Sequence, residues 1–273
     1  MYTWNEFQNK FLPKDKWWSI NTDAGIEIIP GVSDADGGCK TYTLGHSGNA
    51  HCIITTGKSN EDKLNFIYNL ITNACCKHSP EDLILGLIQC KGLSDGLSVV
   101  LPHITYSAFG SYASKAALRQ LVSTARQRYG ELQRLGYKDV LEYNKSMRES
   151  QLNLITMPRM LVIVDSADVL FERMSEDVLY NLSYLEKIGR IVGIHIAYVF
   201  DSLEAIASEE KSKCLLDQCS LRFTLDGDSC VQSRGCEDET LVSCHMPYVD
   251  IVDVSEAFDY MCKISKALCD AED

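Results

Sequence analysis

No stretch of the chain approaches the roughly 18 consecutive apolar residues of a membrane span. The opening MYTWNEFQNK also lacks the charged-then-apolar order of a secretory leader. Both absences lead us to expect a soluble, intracellular chain or an intracellular piece of something larger. Positive charge is scarce too: 26 Lys and Arg stand against 38 Asp and Glu, for a net charge of -12. Phosphate backbones are bound by Lys and Arg, so this balance argues against nucleic acid or an anionic membrane as the main partner, a local basic groove aside. There is no internal repeat and no low-complexity linker, which makes one domain over residues 1–273 the economical reading. Residues 1–20 would be a lead-in segment and residues 21–273 an α/β core.

What the sequence has in quantity is cysteine, 12 residues of it. A disulfide framework calls for an oxidising compartment and usually a small chain, and neither is indicated. A metal site calls for ligand spacing, yet no C-x-x-C occurs, and Cys230, Cys236, Cys244 and His245 are irregularly spaced. We expect no metal centre, and thiols serving as small core side chains.

His51 to Ile71, HCIITTGKSNEDKLNFIYNLI, reads as a buried strand, a polar turn and an amphipathic helix. That is the order of a phosphate-binding loop of the form G-x-x-x-x-G-K-[ST]. Such a loop needs glycine where backbone N–H groups crowd the phosphates, lysine for the terminal phosphates, and a hydroxyl for magnesium. Gly57-Lys58-Ser59 looks like the tail of the motif but leaves no loop ahead of the lysine. Counting from Gly57 instead makes Lys63 the lysine, with Asp62 in place of the second glycine and Leu64 in place of the hydroxyl.

Around this unit the chain alternates between strand and helix signals. Ile26 to Gly45 reads as a hairpin turning on Asp34 to Gly38. Continuous apolar runs at Leu83–Gln89, Met160–Val164 and Val192–Phe200 are of strand length, as in a parallel sheet covered on both faces. Shorter strands are expected at Ile104–Ala108 and Leu221–Leu225. Helical spacing marks Ser114–Leu135, Val140–Met147, Glu176–Ile188, Glu204–Gln218 and Ser255–Leu268. Trp4, Phe7, Phe11, Trp17 and Trp18 suggest a lead-in helix and loop packed on the outside of the domain. Residues 228–245 have no clear assignment. His195, inside an apolar strand with nothing titratable flanking it, reads as a hydrogen-bonded core histidine. Asp165 ends a buried strand, where a magnesium-binding acid of a nucleotide hydrolase would sit. A helix cap for Ser166-Ala167-Asp168 is an equal reading.

Strands alternating with helices, with parallel-type runs, give a sheet between two helix layers. Within that pattern the chain resembles FtsK/SpoIIIE-type ATPase domains, most of all those of the type VII secretion motors EssC and EccC. The resemblance rests on His51-Cys52-Ile53-Ile54, Ser79-Pro80-Glu81-Asp82-Leu83, Gln89-Cys90-Lys91-Gly92, Leu101-Pro102-His103, Arg128-Tyr129 with Glu142-Tyr143-Asn144, Leu161 to Asp165, and Gly193-Ile194-His195-Ile196. These segments match family motifs in the family's order. The resemblance implies a three-layer, RecA-like P-loop fold with a mostly parallel central sheet. It also implies a cytoplasmic place as part of a membrane-anchored motor. The partners implied are neighbouring ATPase domains of the motor and the C-terminal segments of small helical secreted substrates of the WXG type.

The departures from the family bear on chemistry. Its GxTGSGKS is here Gly57-Lys58-Ser59-Asn60-Glu61-Asp62-Lys63-Leu64, so carboxylates would face a phosphate. Its acidic pair after the apolar strand is here Asp165-Ser166, and its TQ is Phe200-Asp201. The expected reading is a vestigial nucleotide site of Gly57, Lys58, Ser59, Asp62, Lys63, Asp165 and Ser166, with no catalytic residue and no cofactor. The alternative is a divergent motor ATPase that still binds ATP and magnesium.

Overall fold

In the computed structural model of the protein, the described residues are 2–35, 37–45, 49–57, 60–91, 100–150, 155–172, 175–203, 219, 221–225, 230–234 and 242–272. The apolar runs form the centre of a nine-stranded sheet. Its strands are β2 (Val32–Ser33), β4 (Cys52–Thr55), β5 (Leu83–Gln89), β6 (Ile104–Phe109), β7 (Arg159–Asp165), β8 (Ile194–Phe200), β9 (Leu221–Leu225), β10 (Cys230–Arg234) and β11 (Val242–His245). Their spatial order is β2-β11-β10-β9-β4-β8-β7-β5-β6. From β9 to β6 all pairings are parallel, and from β9 to β2 all are antiparallel. The sheet lies between two helix layers, as the strand and helix order implied, and the whole is the three-layer, RecA-like P-loop fold that the family resemblance implied.

The parallel strands look uniformly apolar in sequence, but the pleat divides them between two cores. Cys52, Ile54, Leu85, Leu87, Leu161, Ile163, Ala197 and Val199 face one side. Ile53, Ile88, Met160, Val162, Val164, Ile196, Tyr198 and Phe200 face the other. The first side is covered by α1 (Trp4–Phe11), α2 (Asn60–Lys77), α7 (Ile251–Glu272) and a two-stranded sheet of β1 (Ile26–Ile28) with β3 (Tyr42–Leu44). The second is covered by α3 (Gly110–Leu135), the short α5 (Asp168–Phe171) and α6 (Glu176–Val192), while α4 (Val140–Glu149) follows α3.

Several expectations are met. The Ile26 to Gly45 segment pairs antiparallel as β1 with β3, and Gly37 at φ +65° supplies the left-handed turn residue. Between those strands the chain detours through β2 to the far edge of the large sheet. Trp17 and Trp18 pack at the edge, their indole N–H groups donating to the Leu12 and Cys75 carbonyls. Cys52, Cys75, Cys76, Cys90, Cys219 and Cys244 are buried thiols outside any disulfide, as expected of small core side chains.

Others need correction. α3 and α7 each begin four residues earlier than the periodicity suggested, at Gly110 and Ile251. Asp165 does not cap a helix: α5 starts at Asp168 after Ala167, with no side-chain cap. The intervening Ser166 is buried and left-handed at φ 54°, which turns the chain sharply off β7. The unassigned region after Leu225 supplies β10 and β11, which carry the sheet onward in antiparallel fashion. The helix expected at 204–218 lies outside the described residues.

The two ends of the described chain are sewn together. Trp4 N–H donates to the Tyr248 carbonyl at 2.9 Å and Tyr248 N–H to that of Tyr2 at 3.0 Å. The Asn5 amide also donates to the Asp253 carboxylate at 2.9 Å.

Candidate functional site

Parallel strands place their carboxyl ends along one rim, where the loops that follow them converge. Here the rim gathers Thr55 from β4, Gln89 from β5, Asp165 from β7 and Phe200 from β8. β8 lies between β4 and β7, so the helix after β4 reaches Asp165 across an intervening strand. Thr56 ties the β4 end to β8, its N–H donating to the Phe200 carbonyl at 2.9 Å.

Gly57 takes φ +63° at an exposed turn, a conformation that glycine adopts without penalty. Lys58 and Ser59 lie outside the described residues. The helix then begins at Asn60, so that Glu61 and Asp62 occupy its first turn. Residues 60–62 thus lie within the helix ahead of Lys63, where the register ending at Lys63 had suggested loop. Carboxylates in a helix's first turn compensate the positive end of its dipole from within the chain.

Lys63, one position further on, is only 2% exposed. Its Nζ lies 3.4 Å from Asp165 Oδ1, and Asp165 is 2% exposed as well. Lys63 and Asp165, far apart in the sequence, thus meet at the carboxyl rim. Ser166 donates its hydroxyl to Asp165 Oδ1 at 3.3 Å and adds no second carboxylate.

Two further groups complete the cluster. Asp201, directly after β8, places Oδ1 4.0 Å from Lys63 Nζ and accepts from Lys91 Nζ through Oδ2 at 2.6 Å. Asp168 fixes the turn that carries Asp201, its carboxylate accepting from the N–H groups of Asp201 at 3.0 Å and Ser202 at 3.5 Å. Burial above all, aided by the Asp201 charge, moves the Asp168 carboxyl upward from its ordinary range. The sequence marks Asp201 only as a departure from the family and Lys91 only as part of a family match, since neither lies near the loop in the chain.

A second polar cluster lies beneath the amino end of β4. His51 Nδ1 accepts from Ile196 N–H at 2.9 Å, and its Nε2 stands 3.5 Å from Glu186 Oε2. Tyr198 donates its hydroxyl to Glu186 Oε1 at 3.2 Å, with the Cys219 thiol 3.9 Å away. Burial raises the Glu186 carboxyl to about 7 and lowers His51 to about 3. The pair is therefore neutral between about pH 3 and 7 rather than an ion pair. His195 is a core histidine, as expected, but its surroundings are not: Nδ1 meets the Ala50 carbonyl at 2.7 Å and Nε2 meets Arg159 Nη1 at 3.2 Å. A titratable neighbour does flank it, brought there from β7 rather than from its own strand.

Residues 33–218 match the model of the FtsK/SpoIIIE family. This chain belongs to the FtsK/SpoIIIE family. Among curated relatives, the DNA translocase FtsK of Borreliella burgdorferi is 26% identical over 149 residues, covering 54% of this chain and 19% of that protein. The chain thus spans about a fifth of the length of that relative. Among solved structures, the cytoplasmic domain of the type VII secretion ATPase EccC from Thermomonospora curvata superposes with TM-score 0.72 at 19% identity, over 86% of this chain and 30% of that one. A second structure, EccC ATPases 2 and 3 of the same organism in complex with a signal sequence peptide, gives 0.64 at 14% identity, over 87% and 46%. These likenesses show a shared fold. Among the described residues no helix is long and apolar enough to cross a membrane, and no cluster of ligands could hold a metal ion.

Proposed function

We propose that this is a catalytically silent ATPase-like domain of a type VII secretion motor, acting in substrate docking, assembly or regulation. The observation that carries this reading is the state of Lys63. A phosphate-binding lysine works as an available charge within a nest of backbone N–H groups. Here Lys63 is buried against Asp165, and the helix before it opens with Glu61 and Asp62. The residues present do not fit a magnesium nucleotide: Leu64 offers no hydroxyl to the metal, Ser166 no carboxylate to a water, and Asp62 repels a phosphate.

Partners on this reading are neighbouring ATPase domains and C-terminal segments of small helical WXG-type substrates, met on the cytoplasmic side of a membrane-anchored assembly. The EccC structure with its signal peptide supports the fold as a platform for such segments. A shallow groove of about 350 Å³ between α2 and the segment before α7 offers apolar contact from Leu64, Tyr68, Tyr248 and Val249, with Glu61 and Asp250 beside them.

Titration with a fluorescent ATP analogue and magnesium tests the silence. We expect no saturable binding at micromolar concentrations; binding that Lys63→Ala abolishes would overturn it. Peptides from the C-termini of co-encoded secreted proteins test the docking role, and failure of every one to bind would remove it. The second reading, a divergent motor ATPase that binds ATP and magnesium through Lys58 or Lys63 and Asp165, draws on one observation: Lys63 and Asp165 still meet at the sheet's carboxyl rim. Magnesium-dependent ATP turnover lost in Asp165→Asn would favour it.

A further inference from the structure

The first turns of α2 present Glu61, Leu64, Asn65 and Tyr68 at the i, i+3, i+4 and i+7 spacing of one helix face. Against that face runs the segment Tyr248 to Asp250, and the two together enclose the groove of about 350 Å³. The segment is fixed from two sides. On one, the buried Asn65 accepts from Val249 N–H through Oδ1 at 2.9 Å and donates to the Pro247 carbonyl at 3.3 Å, while the buried Asn69 donates to the same carbonyl at 3.0 Å. On the other, Tyr248 is bonded through its backbone to Tyr2 and Trp4. The groove is therefore preformed, which spares a ligand the cost of ordering its wall. Tyr248 stays 47% exposed although both its backbone groups are tied down. The carboxylates of Glu61 and Asp250 lie on exposed residues, and among the described residues no cationic side chain pairs with either. Asp250 Oδ1 accepts from Val252 N–H at 2.8 Å, which sets the direction of that carboxylate.

We propose that this groove binds an arginine carried on an apolar segment of a partner protein, with the guanidinium between Glu61 and Asp250 and its neighbours in the segment against Leu64 and Val249. A guanidinium fits each part of the lining: it stacks on aromatic rings such as those of Tyr68 and Tyr248, donates to carboxylates through a planar fork, and is more weakly hydrated than an ammonium group. An acidic segment would meet Glu61 and Asp250 as like charges, and a purely apolar one would bury both carboxylates without a partner. The size of the groove suits one or two side chains and not a whole helix face. The proposal rests on the docking role proposed above and deepens it by giving the segment a required charge.

The test titrates the whole chain, isotopically labelled, with acetyl-Leu-Arg-Leu-amide and follows its amide resonances by NMR. The same peptide with citrulline in place of arginine keeps the shape and drops the charge. The arginine peptide is expected to shift the amides of Leu64, Tyr248 and Val249 saturably, and the citrulline peptide to bind about fivefold more weakly, the worth of two exposed ion pairs. Glu61→Gln/Asp250→Asn keeps both shapes and leaves an oxygen to accept from Val252 N–H, so the fold is preserved; it should lose the same factor for the arginine peptide and leave the citrulline peptide unaffected. No shifts at these residues up to millimolar peptide, equal affinity for the two peptides, or a double variant that still tells them apart would each overturn the proposal. Binding of secreted C-terminal peptides with no preference for arginine leaves the docking role standing and removes this one, so the two ideas fail on different results.

Discussion

β4 has a polar cluster at each end, and the two handle charge by opposite means. At the carboxyl end Lys63, Asp165, Asp201 and Lys91 match charge with charge, from a buried pair out to a half-exposed one. At the amino end Glu186, His51, Tyr198 and Cys219 are buried together, and burial holds the carboxyl protonated and the imidazole neutral. The same strand thus joins a region that keeps its charges by pairing them to one that suppresses them by desolvation. Pairing leaves groups that an outside ion can exchange with. Suppression leaves groups that only a proton can address. The difference locates any remaining ligand chemistry at the carboxyl rim and any pH response at the opposite end.

Breaking the paired end should give the largest effect. Lys63→Met strands Asp165 with its charge buried, and we expect a loss of about 4 kcal/mol in urea unfolding. Lys63→Met/Asp165→Leu should recover most of that loss, because no uncompensated charge is left. A single variant as stable as wild type would mean the rim is not charge-matched.

The suppressed end is probed by pH. A carboxyl raised to about 7 when folded, against an ordinary value of 4.5, keeps a proton that the unfolded chain gives up. Stability from this group is therefore fullest below pH 4.5, declines as pH rises, and levels off above about 7, a change on the order of 3 kcal/mol. Glu186→Gln should flatten that decline. If the slope between pH 5 and 7, estimated at about 1.4 kcal/mol per unit, persists in the variant, Glu186 is not its source.

A smaller effect is expected from Gly189→Ala. A Cβ there would stand 2.5 Å from the Ile194 carbonyl oxygen and 3.2 Å from His51 Cε1, so α6 would have to move off the cluster. We expect a loss of about 2 kcal/mol by thermal unfolding, the range of overpacking. The smallest belongs to Lys91→Gln at the rim, under about 1 kcal/mol and fading with added salt, as for exposed pairs.

The same contrast explains what could be read from the sequence. The parallel strands were legible because burial on both faces leaves unbroken apolar runs, as at Leu83–Gln89 and Met160–Val164. β2, β10 and β11 were not: they are short and carry Ser33, Gln232, Ser233, Arg234, Ser243 and His245 among few apolar residues. Lys63 and Asp165 could each be singled out because a loop register and a strand end each fix a position, whereas their contact appears only in the structure. Lys91 and Asp201 follow different strands, and only the sheet order brings them together. Likewise Glu186, His51, Tyr198 and Cys219 come from four separate stretches, and no local pattern announces their meeting. The left-handed backbone of Ser166 was not legible because it is imposed by the turn off β7 and is not a habit of serine.

The seam between Tyr2, Trp4, Asn5 and the segment at Tyr248 to Asp253 has a consequence for how the molecule is made. β2 likewise closes on β11, some two hundred residues later in the chain. On a ribosome α1 and β2 emerge long before their partners exist, so they wait unpaired until the intervening sheet and helices have been synthesised. Such non-local closures are slow and come late in folding. The parallel centre can assemble earlier, and the seam then acts as its final clasp. A nascent chain halted before Val242 would expose Trp4 and Phe7 to chaperones, whereas one released after Asp253 could hide them.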